Sequence, residues 1–189
     1  MEVIFMKRLV FATLAHVDAG KTTLSESLLY LSSSIRQLGR VDHGNSFLDY
    51  DQEERNRGIT IYNKESRIKL GDDTLIFIDT PGHVDFGSEM QRCLPVIDYA
   101  ILIVSGIDGL QAHSETIYRL CKDEHIPLFI FVNKMDIAYK SEDELMNELR
   151  MKLSSHCVNF SNSETMMEEI AGCDEKAMEQ FFDSGEVEL

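Results

Sequence analysis

Apolar residues recur along this chain in short blocks separated by polar and glycine-containing stretches. Blocks with the alternation or continuous apolar character of strands lie at 8–15, 60–70, 73–79, 99–105 and 127–132. Blocks with helical spacing lie at 20–31, 84–94, 111–124 and 141–156. Alternating strands and helices predict an α/β fold, a mostly parallel sheet with helices on both faces. The runs 60–70 and 73–79 are joined by Gly71-Asp72, a turn pair that predicts a hairpin and therefore one antiparallel edge. Ser141 before Glu142-Asp143-Glu144 reads as an N-cap followed by an acidic first turn. Neither repeats nor low-complexity tracts interrupt the pattern.

Three of the predicted strands end in chemistry. The first runs into Ala15-His16-Val17-Asp18-Ala19-Gly20-Lys21-Thr22, and the helical segment from Thr23 follows. Strand, loop and helix in that order is the context of a phosphate-binding loop, the P-loop. Backbone N–H groups at the helix start converge on an anion, and the helix dipole adds partial positive charge. Gly20 allows close approach of the backbone. Lys21 supplies a point charge for β- and γ-phosphates, and Thr22 offers a hydroxyl to Mg²⁺. Ala15 stands where the generic pattern has its first glycine. The strand Leu75-Ile76-Phe77-Ile78 ends at Asp79-Thr80-Pro81-Gly82-His83. Asp79 sits where a second Mg²⁺ contact belongs, Gly82 can offer a backbone N–H to a γ-phosphate, and His83 has the position of a water-orienting residue. Alone, this motif reads equally as an ordinary turn. The run Leu128-Phe129-Ile130-Phe131-Val132 ends at Asn133-Lys134-Met135-Asp136. A carboxylate at Asp136 can accept two parallel hydrogen bonds, which suits the guanine edge and not the adenine edge. Three such motifs at the C-terminal ends of strands occupy the place where open α/β sheets bind ligands.

These residues, together with Arg57-Gly58-Ile59-Thr60-Ile61 and His83-Val84-Asp85-Phe86, resemble the translational GTPases. The resemblance is strongest to the GTPase domain of elongation factor G and to the ribosomal protection proteins of tetracycline resistance, and it spans about residues 7–155. In that family Ala at the position of Ala15 is usual. The resemblance implies a P-loop fold in which His16, Val17, Asp18, Ala19, Gly20, Lys21, Thr22, Thr23, Asp79, Gly82, Asn133, Lys134 and Asp136 bind nucleotide. It implies Mg²⁺ held by Thr22, Thr60 and Asp79, and a monovalent cation near Asp18. It implies catalysis by His83, Lys21 and Thr60, with Thr60 closing on Mg²⁺ in the GTP state and His83 positioning water. Leu28-Leu29-Tyr30 and Val41-Asp42-His43-Gly44 lean toward the resistance branch.

The stretch 39–58 has little apolar periodicity and many charges, as expected of a loop ordered by phosphate and Mg²⁺. Arg57 reads either as an arginine that stabilises γ-phosphate charge or, preferably, as a salt-bridge partner of Glu53 or Glu54. His113, His125 and His156 read as surface or capping residues. Met146, Met151, Met166, Met167 and Met178 read as core filler.

Composition narrows the class. A chain of 189 residues with 43% hydrophobic residues can bury a core as one domain. A net charge of −15 argues against a broad basic face and hence against direct sequence-specific binding of nucleic acid. Cys93, Cys121, Cys157 and Cys173 show neither metal spacing nor close pairing, which fits a reduced, cytoplasmic protein. Lys7 and Arg8 interrupt an apolar start that otherwise resembles a secretion signal, so it reads as a first strand with a short leader, Met6 being an alternative start. No membrane span is expected. The expected division is a GTPase domain at 1–156, then 157–189 as the start of an inserted subdomain or the C-terminal part of the same domain. The family's Ser-Ala guanine loop is absent from the sequence, so the domain's last strand and helix are expected to be missing and nucleotide binding weakened. The expected function is GTP hydrolysis in a ribosome-associated factor, of ribosomal protection type or elongation factor G itself. A regulatory switch acting through partner binding is the alternative from another class, and a fragment without a competent nucleotide site is the third.

Overall fold

The run Arg8–Ala15 folds as β1, the middle strand of a five-stranded sheet in the computed structural model. The structure describes residues 8–39, 47–48, 54, 60–70, 73–83, 85, 87–161, 165–173 and 175–185. On one side β1 pairs in parallel with β3 (Asp73–Asp79), with Phe11 opposite Phe77 and Thr13 opposite Asp79. On the other it pairs in parallel with β4 (Tyr99–Ser105), which pairs in parallel with β5 (Leu128–Asn133). The strand β2 (Lys64–Leu70) is antiparallel to β3, giving the order β2-β3-β1-β4-β5. The expected hairpin and its single antiparallel edge are therefore present, although Gly71 and Asp72 themselves lie outside the described residues.

The helices are α1 (Lys21–Leu31), α2 (Gly87–Cys93), α3 (Ala112–Asp123), α4 (Glu142–Lys152), α5 (Met166–Ala171) and α6 (Glu175–Ser184). The chain divides into two compact units, Met1–Tyr139 and Lys140–Leu189. The sheet and α1 to α3 belong to the first unit. A core cluster among its described residues joins Phe11, Leu29, Ile35, Leu48, Ile68 and Phe77. Helix α3 buries Ser114, Ile117 and Cys121, a spacing of one helical face. Burial pushes the thiols of Cys93 and Cys121 up to about 11, so both are inert packing residues, and all four cysteines are free.

In the second unit, the expected cap of α4 is a capping box: Ser141 Oγ accepts from Glu144 N, and the Glu144 carboxylate accepts from Ser141 N. The Arg150 guanidinium donates to the Cys157 carbonyl and pairs with Glu169 at 2.9 Å, and α5 packs on α6. The methionines are not core filler as a group. Met151 is 88% and Met178 42% exposed, while Met146, Met166 and Met167 are half-buried. Short helices with one wet face leave them no interior to fill.

Three predicted elements fall several residues short of expectation, and one is the helix expected over 141–156, which is Glu142–Lys152 with Leu153 as its C-cap. The strand expected over 60–70 begins only at Lys64, because the N–H groups of Ile61 and Tyr62 donate to the carboxylate of Glu54 and not to a ladder. The helix expected over 84–94 is Gly87–Cys93, after which Pro95 continues as a 3-10 turn, Leu94–Val96.

Phe77 is fully buried and its ring lies 5.2 Å from that of Phe11 across the β1–β3 pair. Truncating such a residue loses its transfer energy and leaves a cavity. Phe77→Ala is expected to cost about 3–5 kcal/mol, read as a lower urea midpoint at unchanged slope.

Candidate functional site

Parallel pairing brings the C-terminal ends of β1, β3, β4 and β5 to one edge of the sheet, and the sequence motifs leave from that edge. The loop after β1 turns sharply. Asp18 and Gly20 adopt left-handed conformations, φ 61° and 89°, and Ala19 N donates to His16 O. At Gly20 a Cβ would also lie 2.3 Å from Asn133 Nδ2, so no larger residue fits. Helix α1 starts immediately afterwards, with Gly20 as its N-cap. Val17 is half-buried and Thr23 exposed on the first turn.

Asp79, at the end of β3, is the hub. Its Oδ1 accepts from Lys21 Nζ at 2.8 Å, Ser25 Oγ at 2.8 Å and Thr13 Oγ1 at 3.1 Å. Its Oδ2 is buried and has no protein partner. Thr60 Oγ1 lies 3.4 Å from Lys21 Nζ and 3.4 Å from Thr22 Oγ1. Thr80 Oγ1 donates to Thr13 O at 2.7 Å and so ties the exit of β3 to β1. Lys21, Thr22, Thr60 and Asp79, separated by up to 58 positions in sequence, are thus one cluster.

The motif after β5 is tied to the loop after β1. Asn133 Nδ2 donates to Ala19 O at 2.9 Å, and Lys134 Nζ donates to Asp18 O at 2.6 Å. Lys134 itself is left-handed, φ 61°, which turns the chain into the 3-10 segment Met135–Ile137. Asp136 stands exposed on that segment. At Gly106 a Cβ would meet Met135 Sδ at 2.8 Å, so the loop after β4 also depends on a missing side chain.

Gly82 packs against the first loop: a Cβ there would lie 3.3 Å from Ala15 O. His83 is partly exposed, and its Nδ1 lies 3.3 Å from Asp85 Oδ2 and accepts from Asp85 N. Val84, Phe86 and the segment Arg57-Gly58-Ile59 lie outside the described residues. Glu54, considered as a partner for Arg57, is held by Lys64 and the Ile61 and Tyr62 amides, while Arg57 and its pairing lie outside the described residues.

One site neighbour was missed. His113, expected at the surface, is half-buried in the first turn of α3, with its ring 6.0 Å from that of His16. Nδ1 of His16 is buried without a protein partner. Burial, reinforced by His16 and His83, lowers the His113 pKa below 6.5. The only sequence signal was a histidine on the helix that follows β4, which carries no motif. Among the described residues no cluster of three or more His, Cys, Asp or Glu could hold a metal ion by themselves.

Comparison with known proteins gives the family of this chain. Residues 6–186 match the family model described as the elongation factor Tu GTP binding domain. The chain is 41% identical over 156 residues to tetracycline resistance protein TetP of Clostridium perfringens, covering 82% of this chain and 24% of that protein. It is 43% identical over 153 residues to TetO of Campylobacter jejuni, covering 81% and 24%. It is 41% identical over 140 residues to the mitochondrial ribosome-releasing factor 2 of Yarrowia lipolytica, covering 74% and 18%. A crystal structure of a Thermus thermophilus protein shares the fold, with a TM-score of 0.78 at 21% identity over 94% of this chain and 33% of that one. The fold and site define a P-loop GTPase domain. The chain belongs to the elongation factor Tu GTP-binding domain family, as found in elongation factor G-like translation factors, and it spans about a quarter of the length of the resistance proteins it matches.

A histidine whose pKa is lowered on folding takes up its proton more readily when unfolded. Stability contributed by neutral His113 is therefore present above pH 6.5 and falls as pH drops below it. The melting temperature is expected to decline from about pH 7 to about pH 5, and His113→Gln should flatten that decline.

Proposed function

We propose that this chain is the GTP-binding and GTP-hydrolysing part of a ribosome-associated translation factor of the ribosomal protection type, acting in the cytoplasm. The observation that carries the reading is the convergence of Lys21, Thr22 and Thr60 on Asp79, whose second carboxylate oxygen is buried without a partner. An orphaned buried carboxylate oxygen beside two threonine hydroxyls fits a hydrated Mg²⁺, with Thr22 and Thr60 as ligands and Asp79 behind them. When bound, Mg²⁺ would neutralise charge on the β- and γ-phosphate oxygens.

The chain's own groups divide the remaining work. Lys21 exchanges Asp79 for phosphate oxygens. The N–H groups from Asp18 to Thr23 at the start of α1 receive the β-phosphate, with His16 and Val17 shaping the loop. Gly82 offers its N–H to the γ-phosphate. His83 orients the attacking water, and Thr60 closes over the γ-phosphate. Asn133 and Lys134 brace the loop, and Asp136, exposed and free to pair, reads the guanine edge. Asp18 supplies the contact for a monovalent cation. No described helix is long and apolar enough to cross a membrane. Residues 157–189 would begin a subdomain of the larger protein.

The 41% identity to a ribosome-releasing factor supports a second reading, a factor that acts on ribosomes without any role in resistance. Tetracycline-inhibited translation separates the two, since only the first restores it when the whole gene product is added.

Titration with labelled GDP and ADP tests the nucleotide assignment, and equal affinities would refute the base reading. Asp136→Asn should shift preference from GDP toward XDP, because an amide can donate to the xanthine carbonyl that replaces guanine's amine. One mismatched buried pair costs about 1–3 kcal/mol, roughly tenfold to a hundredfold in the ratio. An unchanged GDP preference would remove Asp136 from base recognition.

His83→Ala should leave GTP affinity nearly intact and slow ribosome-stimulated hydrolysis by on the order of 10²-fold or more in single-turnover assays on the whole gene product. A normal rate with weakened GTP binding would make His83 a ligand contact.

A further inference from the structure

We propose that Glu54 is a positioning residue that holds Thr60 at the phosphate end of the site. The inference rests on the nucleotide reading above and deepens it. Glu54 is completely buried, and both of its carboxylate oxygens are engaged. Oε1 accepts from Ile61 N at 2.8 Å and from Tyr62 N at 3.2 Å, while Oε2 accepts from the buried ammonium of Lys64. The three donors belong to the segment that immediately follows Thr60. Lys64 is in register opposite Asp79, so this clasp is indexed directly to the hub of the site. Asn63 Nδ2 donates to the Glu89 carbonyl on α2, which gives the segment a further anchor. At the end of the segment, Thr60 is 4% exposed and reaches both Lys21 and Thr22.

A similar clasp holds the chain upstream. Glu26, fully buried on α1, accepts from Gly39 N at 3.2 Å and Leu48 N at 2.9 Å, and Leu48 packs in the core beside Leu29. A buried charge pair is a poor source of stability compared with an apolar pair of equal size. What a carboxylate does that an apolar side chain cannot is accept several backbone N–H groups in one fixed arrangement. Glu54 thereby favours the arrangement in which Thr60 faces the phosphate end, so closing Thr60 on a triphosphate carries a smaller ordering cost. GDP lacks the γ-phosphate that Thr60 meets and gains nothing from the clasp.

The test uses the full chain with Mg²⁺, labelled GDP and a labelled non-hydrolysable GTP analogue. Glu54→Ala should lower the preference for triphosphate over diphosphate by about tenfold while GDP affinity stays within about twofold. The double variant Glu54→Gln, Lys64→Met should restore the preference to within about threefold, since the amide oxygen still accepts both N–H groups and no charge is left unpaired. A proportional loss of GDP and GTP binding in Glu54→Ala, or an unchanged preference, would overturn the proposal. Amide hydrogen exchange on the unmodified chain with Mg²⁺ and the GTP analogue bound reads the same claim without a variant. Slow exchange at Ile61 and Tyr62 supports the clasp, and exchange at the unprotected rate overturns it. An unmodified chain that binds neither nucleotide overturns the nucleotide reading, a result distinct from lost preference in a chain that binds GDP.

Discussion

The carboxylate of Asp79 is the constraint on which this structure turns. It ends β3, touches β1 through Thr13 and touches α1 through Lys21 and Ser25. One buried anion thus ties together two strands and a helix that are distant in sequence. Its cost of burial is met by one ammonium and two hydroxyls on a single oxygen. The other oxygen remains without a protein partner.

The same economy extends outward along α1. Its buried positions are Lys21, Ser25, Glu26 and Leu29. The three polar ones face partners that are themselves fixed: Asp79, the Lys21 carbonyl, and the amides of Gly39 and Leu48. Only toward its C-terminal end does the helix bury apolar surface, where Leu29 joins Phe11 and Phe77. The helix is therefore held at one end by hydrogen bonds to charged groups and at the other by packing.

Two loops at the C-terminal edge of the sheet are also coupled through side chains. Asn133 and Lys134 donate to carbonyls of Ala19 and Asp18, so the segment after β5 braces the loop after β1. The requirement for glycine at position 20 comes from both sides: a left-handed turn and the approach of Asn133. The local backbone and a side chain more than a hundred positions away impose the same residue.

Much of this was legible in the sequence. The strands at 8–15, 73–79 and 99–105 are where the apolar runs are, because a buried parallel sheet needs continuous apolar segments. The three motifs could be read because each supplies its chemistry within a few consecutive residues. The start of β2 was misplaced, since a pattern of apolar residues does not reveal that Glu54 captures the Ile61 and Tyr62 amides. The burial of Lys21, Ser25, Glu26, Glu54 and Lys64 was equally hidden, because polar residues signal solvent unless their partners are known. His113 was read as surface for the same reason, its neighbour His16 being on another element. The sequence by itself determined which segments become strands, in what order, and which chemical groups leave their ends, since these follow from local pattern. Only the tertiary structure decided which charges are buried, and which backbone amides they hold, because that depends on pairings between residues far apart along the chain.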